Sequence, residues 1–341
     1  MNESNVHSRS RVVVVTGASG GVGRAVVRML GRQHAKIGLL ARGRDGLEAA
    51  KSEVEREGGE AIVIPTDVSK FEQVEEATAI VEERLGPIDV WINDAMVSMY
   101  SPFMKMSAEE FQHIVDVTFM GNVHGTQSAL RRMIPRDSGV IIQVGSALAY
   151  RSIPLQSAYC ASKHAIEGFT ESVRSELIHM GSNVRISMVN LPGVNTTQFE
   201  WTKNRMPHKP RPTGTIYQPE VAAEAIVWTI DHDRRQVMVG YPTVEAVVGE
   251  KVIPGLLDHY LAHAAWDGAQ LPEPADPNHR DNFWEPLPGD HGAHGPFDDQ
   301  AHWHSPQLWA TQHRGLLATL ASVGVGAAAY AVYRAATGNH A

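Results

Sequence analysis

Five β-branched residues running straight into glycine constrain this chain more than any other feature. Arg11-Val12-Val13-Val14-Val15-Thr16 reads as a strand buried on both faces. It passes into Gly17-Ala18-Ser19-Gly20-Gly21-Val22-Gly23 and then into a helical period over residues 21–33. The change of period recurs along the chain. Further strands are expected at 36–41, 61–65, 88–92, 140–145, 184–190 and 236–240. Helices are expected at 45–58, 70–85, 108–134, 157–180 and 220–231. Strands alternating with helices imply right-handed crossovers, hence an α/β fold with a doubly wound parallel sheet of the Rossmann type.

The glycines point to a ligand. A side chain in such a turn blocks close approach of a pyrophosphate to the backbone, and the following helix aims its N-terminal N–H groups at the anion. Gly17, Ser19, Gly20, Gly21, Val22 and Gly23 are therefore candidate cofactor contacts. The end of the second strand bears on the choice of nicotinamide cofactor. An acid there bonds the 2′-hydroxyl of NAD, but Leu40-Ala41-Arg42-Gly43-Arg44 has none. Arg42 can meet a 2′-phosphate with charge-assisted hydrogen bonds, so the expected cofactor is NADP(H).

The candidate chemistry lies in Tyr159-Cys160-Ala161-Ser162-Lys163, with Ser146 thirteen residues upstream. Tyrosine and lysine at i and i+4 share a helix face, and an ammonium beside a phenol is expected to lower the tyrosine pKa. Such a tyrosine can pass a proton to or from a carbonyl or alcohol oxygen.

These motifs, in this order from about Val12 to Gly240, resemble the short-chain dehydrogenase/reductase family. Thr16–Gly23 is similar to the family's Thr-Gly-x-x-x-Gly-x-Gly loop. The resemblance implies that Asp67 and Val68 hold adenine, and that Asn93 and Ala95 belong to the motif written Asn-Asn-Ala-Gly in the family and Asn93-Asp94-Ala95-Met96 here. It also implies that Pro192, Gly193, Val194 and Thr196 contact the nicotinamide end, and that Ser146, Tyr159 and Lys163 are the catalytic set. Two departures stand out. Met96 replaces a glycine, and Thr118 stands where the family has an asparagine of the proton relay. A threonine hydroxyl can still bond water, and Asn122 lies one helical turn on.

The formal net charge of −8 argues against a nucleic-acid partner held by a general basic surface. The single Cys160 excludes an intrachain disulfide and is expected to be a packing residue. The start carries no apolar run of a secretory signal. Residues 1–266 are expected to form the catalytic domain. Residues 267–312, rich in Pro, Gly, His and Asp, read as a linker or loosely packed arm. Its histidines match no metal-binding pattern, so no metal is expected. Residues 313–335 are a candidate transmembrane helix, because 315–333 carry no charge. A single span there would anchor the enzyme at the membrane with its catalytic domain on the cytoplasmic side. The apolar stretch 243–266 resembles extensions of family members with lipophilic substrates; it reads equally as a core or dimer helix, and a homo-oligomer is expected. Two functions stay open: a hydride-transferring oxidoreductase on carbonyl or alcohol groups, and an NADP-binding regulator or scaffold with little turnover.

Overall fold

The structure, a computed structural model, describes residues 10–337, with side chains described through residue 330. Seven parallel strands form one sheet: β1 (Val12–Thr16), β2 (Lys36–Ala41), β3 (Glu60–Pro65), β4 (Val90–Asn93), β5 (Val140–Ser146), β6 (Arg185–Leu191) and β7 (Gln236–Met238). Their order across the sheet is β3-β2-β1-β4-β5-β6-β7. The order reverses between β1 and β4, which pair Thr16 with Asn93, so a crevice opens at the carboxyl ends of these strands.

Alternate valines of β1 face opposite layers, as strand geometry requires. Val13 and Val15 join one core with α1 (Gly21–Arg32), α2 (Arg44–Arg56) and the helix Pro219–Asp231. Val12 and Val14 join the other, with the helices Phe71–Leu85, Gly121–Met133 and Ser157–His179. The doubly wound expectation therefore holds.

Three expectations need correction. The helix expected over 108–134 is interrupted by a π turn at Asp116–Met120. There the Thr118 hydroxyl donates to the Val97 carbonyl at 3.0 Å and accepts from the Val97 N–H at 3.1 Å. The arm is not loosely packed: Phe283, Ala293, Phe297 and Leu308 are buried. Membrane anchoring is unsupported, since among the described residues no helix is long and apolar enough to cross a membrane. The terminal helix Arg314–Thr337 exists, but it is rich in alanine and glycine, which drive insertion far less than leucine. The side chains of residues 331–333, the end of the expected span, lie outside the described residues, as do residues 1–9.

Candidate functional site

The crevice is a cleft of about 790 Å³ reaching from the glycine turn past Tyr159 to a helical hairpin. Its shape at the turn follows from two glycines. Gly17 has φ +75°, a left-handed conformation that favours glycine. A Cβ on Gly23 would lie 2.3 Å from the Gly17 carbonyl oxygen, so α1 can start this close to the turn only without one. Gly17, Ser19, Gly20, Gly21 and Val22 line the cleft, and Gly23 stands behind it.

Ser146 ends β5 and its Oγ accepts from the Leu148 N–H at 3.1 Å. Tyr159 and Lys163 lie on the first two turns of the helix Ser157–His179. All three line the cleft. Lys163 Nζ donates to the Val144 carbonyl at 2.7 Å and stands 5.5 Å from the Tyr159 ring centroid. The expected lowering of the phenol pKa by Lys163 is overturned. Burial pushes the Tyr159 phenol up, Ser146 partly offsets this, and Cys160 and Asp94 add to the rise.

Arg42, Asp67, Val68, Ala95, Pro192, Gly193, Val194 and Thr196 also line the cleft. Asn93 and Thr118 do not. Asn93 is buried beneath the sheet ends, where its amide donates to Gln143 Oε1 at 2.9 Å and accepts from Trp91 Nε1 at 2.7 Å. It sets the strand ends in place and is not placed to contact a cofactor. Thr118 is fully buried with its hydroxyl spent on Val97, which corrects its expected part in a relay. Asn122 gives its amide nitrogen to the Thr118 carbonyl at 2.8 Å, and its buried Oδ1 has no protein partner among the described residues.

Asp94 was legible as an acid in an amide's place, yet it carries more than the motif suggested. Its backbone N–H donates to the Thr16 hydroxyl at 3.0 Å, fixing it at the rim of β1. Its carboxylate lies against Gly23 in the first turn of α1. Burial pushes its pKa up, and Lys163 and the Gly23 backbone hold it back; burial pushes Lys163 down, and Asp94 holds it up. Each charge thus tunes the other. Arg151, Trp201 and His291 also line the cleft, and no motif marks them.

The far end is roofed by the hairpin of Tyr241–Val252 and Pro254–Gly268. Ala246, Gly249, Ile253, Leu257 and Leu261 face the cleft with Glu245 among them. Arg151 fastens both helices, donating to Glu250 and to Asp258 at 2.6 Å each. Burial pushes the Cys160 thiol up, consistent with packing. Among the described residues no cluster of three or more His, Cys, Asp or Glu is placed to hold a metal ion.

A parallel sheet of this order, opening at its carboxyl ends beside a glycine turn, is the arrangement of a Rossmann-type nucleotide-binding fold. The model of the family described as short chain dehydrogenase matches residues 11–207, and the chain belongs to that family. An uncharacterized oxidoreductase, YxnA, of Bacillus subtilis is 28% identical over 285 residues, covering 83% of this chain and 80% of the relative. The ketoacyl reductase HetN of a Nostoc species is 31% identical, covering 67% of this chain and 78% of its own. Among solved structures, an alcohol dehydrogenase from Thermococcus sibiricus complexed with 5-hydroxy-NADP aligns with a TM-score of 0.59 at 28% identity. It covers 67% of this chain and 96% of that one.

Proposed function

We propose that this chain is an NADP(H)-dependent oxidoreductase that interconverts a carbonyl and an alcohol on a lipophilic substrate. The observation that carries this reading is the convergence of Ser146, Tyr159 and Lys163 in one cleft with the glycine turn. The cradle suits a dinucleotide, because Gly17, Gly20 and Gly21 line the cleft and carry no side chain between it and the backbone. Bound there, the nicotinamide supplies or accepts the hydride. Tyr159 gives its proton to the substrate oxygen in reduction and takes one in oxidation. Ser146 donates a hydrogen bond to that oxygen as negative charge develops. Lys163, whose charge Asp94 holds up, stands beside Tyr159 where it would bond the nicotinamide ribose. The apolar hairpin residues favour a lipophilic substrate. NADP in the related alcohol dehydrogenase supports the choice of cofactor. A homo-oligomer belongs to the same reading, and light scattering checks it.

A second reading, an NADP-binding regulator with little turnover, draws on one observation: the Thr118 hydroxyl is locked to Val97. A panel of aldehydes and ketones with NADPH, followed by loss of its absorbance, separates the two. Turnover of apolar ketones supports the enzyme; inertness across the panel with tight NADPH binding supports the regulator.

A further inference from the structure

The arm crosses the cleft over the glycine turn. The carbonyls of Asn282, Phe283 and Trp284 accept from Arg42 at 2.5, 3.3 and 2.7 Å. Eight residues on, the Gly292 carbonyl accepts from the Gly21 N–H at 3.2 Å. Two side-chain contacts hold the stretch between. Asp290 accepts from the buried Arg24 at 3.1 Å, and Asp45 accepts from the Gly289 N–H at 2.8 Å. Phe283 is fully buried in the core beneath the sheet, so the segment is anchored at its start. Between the anchors, Pro286, Leu287 and His291 line the same cleft as Gly20 and Arg42. His291 sits edge-on to Trp201, their ring centroids 4.8 Å apart.

We propose that residues 282–292 are a built wall of the cofactor site and that Arg42 joins this wall to the 2′-phosphate of NADP(H). The inference rests on the NADP(H) reading of the cleft. A guanidinium has five N–H donors in a fixed fork. Three go to the arm's carbonyls, and two remain for phosphate oxygens. The same side chain therefore fastens the arm and reads the nucleotide. Asp67 and Glu285 lie near it, so a 2′-phosphate takes its place among acidic neighbours only because Arg42 is there. NAD(H) lacks the group that engages the remaining edge, so it fastens the arm less. A nucleotide under Pro286 and Leu287 leaves only when the segment lifts, which makes the arm a brake on release.

The test uses the full-length protein. Amide hydrogen exchange is followed by mass spectrometry without nucleotide, with NADPH and with NADH. Peptides covering 282–292 are expected to exchange about tenfold more slowly with NADPH, and less slowly with NADH. Stopped-flow fluorescence then measures NADPH release. Asp290→Ala, which removes one exposed anchor, is expected to release it roughly three- to tenfold faster. Arg42→Lys keeps the charge but not the fork, and is expected to lose the NADPH-dependent protection. Equal exchange in all three states, unchanged release from Asp290→Ala, or full protection in Arg42→Lys overturns the proposal. Absence of binding of either nucleotide to the wild-type chain overturns the NADP(H) reading itself, and this inference with it.

Discussion

The floor of the cleft and its cover are held by different forces. The floor is made of strand ends whose side chains, such as Val15, Ile92 and Ile142, are fully buried and laddered on both sides. The cover is the hairpin 241–268 and the arm. Within the hairpin helices only Thr243 and Ala265 are buried, whereas Val252, Leu256 and Tyr260 are 70%, 65% and 63% exposed. The hairpin hangs on point contacts of Arg151 with Glu250 and Asp258, whereas the arm adds the buried side chains of Phe283 and Phe297 to its ion pairs of Arg24 with Asp290 and His294 with Glu220 and Asp298. Elements held by few buried contacts open first, so the floor fixes the reacting atoms while the cover governs what is held against them.

The sharpest way to break this division is at the floor. Tyr159→Phe should lower kcat/KM by about 10³-fold, within the range for a lost general acid, while the NADPH dissociation constant stays within about twofold. Turnover like the wild type would remove the phenol from the chemistry. At the cover, Arg151→Ala frees both hairpin helices and should raise KM for apolar ketones by about tenfold with little change in kcat. A comparable fall in kcat would place Arg151 with the floor instead.

Asp94→Asn sharpens the electrostatics of the floor. Losing the carboxylate removes what holds the Lys163 pKa up, so Lys163 gives up its proton at lower pH. The alkaline limb of the kcat/KM profile should move down by about one pH unit. An unmoved limb would separate Asp94 from Lys163.

The smallest effect belongs to the arm. Burial pushes the His294 imidazole down, but hydrogen bonds to Asp298 and Glu220 outweigh it and the pKa is raised. Its contribution is therefore complete below the ordinary histidine range and is lost as pH rises through the raised value. His294→Gln should lower Tm by about 2 °C at mildly acidic pH and leave it unchanged in alkaline buffer. A difference independent of pH would mean the ring acts by packing alone.

Much of the floor was legible because it is periodic. The valines of β1, the glycines after it and the four-residue step from Tyr159 to Lys163 each state their geometry in residue type and spacing. Thr118 could be aligned, but no pattern tells that its hydroxyl turns back on Val97. Asp94 did carry a signal, an acid where an amide is usual. The direction of the Tyr159 shift depends on how deeply the helix start is buried, which spacing does not encode. The arm was the least legible part. Its partners for Arg42 are backbone carbonyls, which every residue supplies, so composition suggested looseness where the chain is docked.

That docking joins distant parts of the polypeptide. The glycine turn is made early in synthesis, but Pro286, Leu287 and His291, which stand over it, emerge after every strand of the sheet. A nascent chain still on the ribosome can assemble the sheet while its nucleotide crevice lies open to water along one flank. Closure of that flank waits for residues 282–292, which follow every strand of the sheet along the chain.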